Sequence, residues 1–231
     1  MFEPSTIARR IAIWAFLVLL GSTAGARDSF GWDPTRLEPV WSSKQSVFVF
    51  GGWTSSTDVW STALFNLNKL DKPQKLYDNN IVGAAYQRDV VGFGRAIFGV
   101  ELGLADRFGH YKVCCISIVE SKSVVHSAEI WAGVTARLDQ LNLFDVVYLS
   151  PGVVFGVSTI SSPIGQEGLH QLDKGSARTL LYLALEAAFT LPSAPQIELV
   201  LRVHHRSGAY GTLGGLKEGN NANVLGFRYR F

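Results

Sequence analysis

Residues 196–231 read QIELVLRVHHRSGAYGTLGGLKEGNNANVLGFRYRF. From Val224 onward the side chains alternate, with Leu225, Phe227, Tyr229 and Phe231 on one side and Val224, Gly226, Arg228 and Arg230 on the other. A repeat of two predicts a strand. The front half repeats it, setting Ile197, Leu199, Leu201 and Val203 opposite Glu198, Arg202, His204 and Arg206. One and two further steps along the apolar face reach His205 and Ser207. A histidine and a serine therefore continue a greasy stripe near the end of a strand.

The same alternation recurs upstream. In 128–138, Ile130, Ala132, Val134, Ala136 and Leu138 oppose Glu129, Trp131, Gly133, Thr135 and Arg137. Further strands are predicted at 46–53, 80–89, 94–105, 144–157 and 179–191, with Pro151 marking a bulge or irregular pairing. With the two above, the count is eight. The expected connections at 90–92, 139–142 and between 191 and 196 are short. Those after the first, third, fifth and seventh strands are long, with 106–126 and 158–177 read as connections, and with an extension of a strand above the membrane at 113–119 as the alternative within the first of them. Short turns at one end and long loops at the other are the asymmetry of outer-membrane barrels.

Composition agrees with one domain: 231 residues, 47% of them hydrophobic, can bury a substantial core. The formal net charge is +2, and no basic tract interleaved with aromatics is present, so nucleic acid is not an expected partner. Arg9 and Arg10 precede an apolar run at 11–20, followed by small residues at Ala24 and Ala26. This predicts a cleaved signal peptide at 1–26, an irregular lead-in at 27–44 and a barrel at 45–231. The run falls short of the roughly 20 apolar residues that a helical span needs. Without such a span, a chain in a membrane must close its strands into a ring, because lipid offers the backbone no hydrogen-bond partner. The expected fold is thus all-β, an eight-stranded antiparallel transmembrane β-barrel.

Inward polar residues fit a barrel filled by its own side chains. Glu101, Glu129, Glu186 and Glu198 can be set against Arg137, Arg202, Arg228 and Arg230, since buried charges persist only when paired. Cys114 and Cys115 are adjacent and exclude a disulfide framework. His204 points inward as a core residue or ionic partner; His110, His126 and His170 read as isolated loop or edge histidines. No metal-ligand cluster is visible, and no phosphate-binding or zinc-protease motif occurs.

Histidine and serine two residues apart on a strand share a face, about 7 Å apart at the backbone. The serine becomes a nucleophile when the histidine takes its proton and a third group holds the ring. The third group can be Glu218 or Asn221. This arrangement resembles the PagL-type lipid A 3-O-deacylases: His-x-Ser at the end of the penultimate strand, a Gly-rich loop with an acidic or amide residue, then a last strand ending in an aromatic. The resemblance implies an eight-stranded outer-membrane barrel with its triad on the outer wall, cleaving an ester-linked acyl chain of lipid A without a cofactor. Its partner would be lipopolysaccharide in the outer leaflet; a homodimer is left open. In the family an Asn follows the Ser and serves the oxyanion, whereas Gly208 offers only its backbone NH. Loss of one such donor costs about two to three powers of ten in rate. The alternative is a non-catalytic barrel, structural or adhesive, in which His205 and Ser207 are polar residues at headgroup level.

Overall fold

A computed structural model describes residues 44–55, 79–114, 117–143, 146–173, 175–217 and 219–231. The expected signal peptide, all but the last residue of the lead-in, Cys115 and Glu218 lie outside the described residues. The described strands are β1 (Gln45–Ser55), β2 (Asn79–Phe93), β3 (Ala96–Cys114), β4 (Ser117–Leu138), β5 (Leu141–Leu143), β6 (Val147–Ile160), β7 (Thr179–Thr190), β8 (Ile197–Ser207) and β9 (Gly219–Arg230). One helix, α1 (Gly165–Asp173), lies between β6 and β7.

Every pairing is antiparallel, and the sheet runs β4-β3-β2-β1-β9-β8-β7-β6-β5 with β4 also paired to β6. That last ladder, from Glu129↔Ile160 to Arg137↔Gly152, closes a ring of eight long strands. First and last strands meet from Ser46↔Arg230 to Ser55↔Asn221. The three-residue β5 continues β4 beyond a break at Asp139 and Gln140 and pairs only with β6. Pro151 sits at this discontinuity. On one side it keeps step with Ala187; on the other, β6 changes partner from β4 to β5, where a proline's missing NH costs no ladder bond.

The alternation in the sequence becomes an outside and an inside. Leu102 and Phe227 are each 63% exposed and Ile130 is 61% exposed, while their neighbours Glu101, Arg228 and Glu129 are buried. An aqueous protein rarely displays so wide an apolar surface. A closed ring wearing an apolar band, its backbone satisfied strand to strand, is a transmembrane β-barrel of the outer-membrane type.

The lumen is filled by a column of ion pairs. Asp139 accepts from Arg230 at 3.1 Å, Arg230 also reaches Glu198 at 3.1 Å, and Arg228 joins Glu198 at 3.0 Å to Glu186 at 2.8 Å. Arg202 then donates to Glu186 and Glu101, each at 2.5 Å. Above it, Tyr182 Oη lies 3.1 Å from both Arg202 Nη1 and His204 Nδ1, and His204 Nε2 lies 2.9 Å from Glu129. Phe48, Phe50 and Trp131 pack around this column, with Trp131 Nε1 donating to Glu101 at 2.6 Å.

Several sequence expectations need correction. The stretch 106–126 is not a connection: β3 and β4 continue as a paired hairpin to Cys114↔Ser117, so the strand extension considered at 113–119 reaches much further than expected. There the exterior turns polar, so the apolar alternation stops while the ladder does not. The first hairpin does not turn at 90–92; β2 runs to Phe93, with a bulge between Asp89 and Val91, and turns at Gly94, whose φ is +59°. The turn expected at 139–142 gives way to β5. The loop at 158–177 contains the end of β6 and α1. Glu129 pairs with Arg107, Arg206 and His204 rather than with the four arginines expected, and Arg137 pairs with Asp89 and Asp139. His126 is not isolated either, lying 2.7 Å from Asp106.

Candidate active site on the barrel exterior

β8 carries His205 and Ser207 on the outer face because odd positions there point away from the lumen and even ones fill it. The register sets His205 between Leu183 of β7 and Asn221 of β9, and Ser207 between Leu181 and Gly219. One flank of the pair is leucine, the other glycine and asparagine. Both residues sit at the end of the barrel that carries α1 and the longer connections, opposite the tight turn at Gly94.

His205 Nδ1 lies 2.5 Å from Asn221 Oδ1. An amide oxygen only accepts, so the ring proton is on Nδ1 and Nε2 keeps its lone pair. Asn221 is only 6% exposed, which restricts its amide. Of the two residues considered for the third position, Asn221 has its side chain at the histidine. Glu218 belongs to the residues outside the description. Ser207 Oγ forms no hydrogen bond among the described residues; it stands one pleat beyond His205 on the same face.

Gly208 has a steric reason to be glycine. A Cβ there would lie 2.0 Å from the Leu216 carbonyl oxygen. The loop folds back on this residue, whose carbonyl accepts from the NH groups of Gly211 at 3.2 Å and Leu213 at 3.0 Å. The chain turns at Ala209 and Tyr210, with φ of 50° and 58°. Gly208 thus permits a close approach, and the reversal itself falls on the next two residues.

Behind the site, Arg206 points inward between His205 and Ser207. It donates to Ser158 Oγ at 2.9 Å, to the Arg178 carbonyl at 2.7 Å and to Glu167 of α1. Glu167 is 1% exposed and also accepts from Arg107 Nη1 at 2.9 Å. His170 Nδ1 donates to the Gly219 carbonyl at 3.0 Å, and Gln166 Nε2 donates to His170 Nε2 at 2.8 Å. Sequence reasoning missed Arg107 and Glu167, and its reading of His170 as an isolated histidine is corrected by the helix that sets it against Gly219 and Gln166. The available signal was four-residue spacing within 158–177, where Gln166 meets His170 and Glu167 meets Gln171. No group of three His, Cys, Asp or Glu residues able to hold a metal occurs among the described residues.

Neither a protein-family model nor a curated protein matches the sequence. Solved structures of similar shape include the outer membrane enzyme PagL, with 10% identity, a TM-score of 0.46, and coverage of 80% of this chain and 99% of that one. The Yersinia pestis outer membrane protein Ail in a phospholipid bilayer nanodisc has 16% identity, a TM-score of 0.38, and coverage of 82% and 99%. Ail in complex with the heparin analogue sucrose octasulfate has 15% identity, a TM-score of 0.33, and the same coverage. At these identities and scores no residue's role is carried across.

Proposed function

We propose that this barrel resides in the bacterial outer membrane and is a serine esterase that hydrolyses an ester-linked acyl chain of lipid A. The observation that carries this reading is the His205 Nδ1–Asn221 Oδ1 bond of 2.5 Å on the outer wall, with Ser207 next on the same face. It supplies the tautomer a general base needs, since Nε2 is left to take a proton from the serine.

Ser207 Oγ attacks the ester carbonyl as His205 Nε2 takes its proton. The C–O bond breaks, the sugar hydroxyl leaves with that proton, and water then releases the fatty acid from the serine by the reverse traffic. Asn221 orients the imidazole, and the Gly208 NH is the candidate oxyanion donor. None of these steps calls for a cofactor. A lipid substrate explains why a nucleophile would sit beside Leu181 and Leu183 on an exterior wall rather than in a pocket.

Mass spectrometry of lipid A from cells producing the wild type or Ser207→Ala tests the proposal. One acyl chain is lost with the wild type only. If neither protein removes a chain relative to an empty control, the esterase reading is lost. The second reading, a non-catalytic barrel, then stands; in its favour, Asn221 brings no charge to the imidazole and Ser207 Oγ is not bonded to it.

A further inference from the structure

Helix α1 touches both strands that carry the candidate site, each by a directed polar bond, and at positions next to the site. Arg206 separates His205 from Ser207 in the chain, and its guanidinium is held by Glu167. Gly219 is the rung partner of Ser207 and lies two residues before Asn221 on β9; its carbonyl accepts from His170 Nδ1 at 3.0 Å. Gln166, one turn earlier in α1, fixes the His170 tautomer by donating to Nε2 at 2.8 Å. The helix is anchored in turn through Glu167 to Arg107 of β3, and the segment before it bridges to β3 at Lys112↔Ile164.

Resting on the esterase reading, we infer that Glu167 and His170 are positioning residues for it. α1 locks the outer ends of β8 and β9 against each other, fixing how far Ser207 stands from the His205 ring that Asn221 orients. The chemistry makes this necessary. Ser207 and His205 lie at the rim of the barrel, where β8 gives way to the 208–217 loop. Strand ends fray unless tied, and a misplacement of about 1 Å can cost about 100-fold in rate. Neither Glu167 nor His170 faces the exterior site, so neither touches the substrate. Each acts through another residue, Glu167 by way of the Arg206 side chain and His170 by way of the Gly219 carbonyl.

The test uses the full-length barrel in detergent micelles, an alkyl fluorophosphonate as the probe of Ser207, and a p-nitrophenyl ester as substrate. Heat-modifiable gel migration reports folding. His170→Phe is expected to slow phosphonylation of Ser207 and lower kcat by about 10- to 100-fold with KM little changed, in barrels that still migrate as folded. His170→Gln, which keeps a donor for the Gly219 carbonyl, restores most of that loss. Glu167→Gln is expected to act in the same direction, and Gln166→Leu, on the partly exposed side of α1, provides a milder disturbance should the buried change impair folding. A wild type that reacts while folded His170→Phe and Gln166→Leu react equally fast overturns the positioning role alone. A wild type that takes up no probe and hydrolyses no ester overturns the esterase reading, and the positioning role with it.

Discussion

His205 and Asn221 face each other across a single rung of the β8–β9 ladder, and the bond between them, 2.5 Å from Nδ1 to Oδ1, follows from that register. The amide orients the imidazole but cannot neutralise it once it has taken a proton. Asn221→Asp keeps the geometry and adds the charge, and is expected to raise kcat by about tenfold or more. Asn221→Leu removes the acceptor and should lower kcat by about 100-fold. Initial rates on a p-nitrophenyl ester in micelles check both; equal rates for all three proteins would show that the pair takes no part in catalysis.

Glu101 holds the centre of the lumen by accepting from Arg202, Trp131 and Gln87. Glu101→Ala strands two donors and leaves Arg202 with Glu186 as its remaining carboxylate. Breaking a buried pair in this way costs about 3–5 kcal/mol. Urea titration of the barrel in micelles, read by gel migration, should show the midpoint falling accordingly.

Gly103 faces the lumen directly under Trp131, and a Cβ there would lie 2.0 Å from the indole Cζ2. Gly103→Ala must displace that ring, which is buried and bonded to Glu101, so a loss of about 1–3 kcal/mol is expected. Gly51→Ala meets nothing closer than a Val82 methyl at 3.9 Å and serves as the comparison. Tryptophan fluorescence during unfolding separates the two; equal midpoints would contradict the close packing.

Leu102 lies on the apolar exterior, while Val124 lies on the part of β4 above its last rung with β6. In phospholipid vesicles Leu102→Arg should destabilise the barrel by about 2–4 kcal/mol. Val124→Arg should change it by no more than about 0.5 kcal/mol. The opposite ranking would mean that the band does not face lipid.

The barrel was readable from side-chain alternation, because an apolar exterior and a packed interior impose opposite demands on successive residues. Leu102 and Glu101, or Ile130 and Trp131, carry that message without reference to any partner strand. The reading failed where the demand lapses. Between Asp106 and His126 the exterior is polar, so period two disappears although the ladder persists to Cys114. α1 escaped notice because nine residues with two glycines carry little helical preference; it persists through Glu167, which meets Arg206 across 39 residues of chain. His205 and Ser207 were legible as a pair, being two apart on one strand. That Asn221 faces His205 was not, because this depends on the β8–β9 register, and residue counts alone do not fix how strands pair.

The neighbours of β1 are β2 and β9, so the ring cannot shut until β9 exists. A ribosome still making residue 215 has nothing to offer the free edge of β1, and the open margins of β1 and β8 must be shielded until β9 has been made. Assembly therefore waits on residues 219–230, and a chain stopped before β9 keeps two unpaired edges rather than forming a smaller barrel.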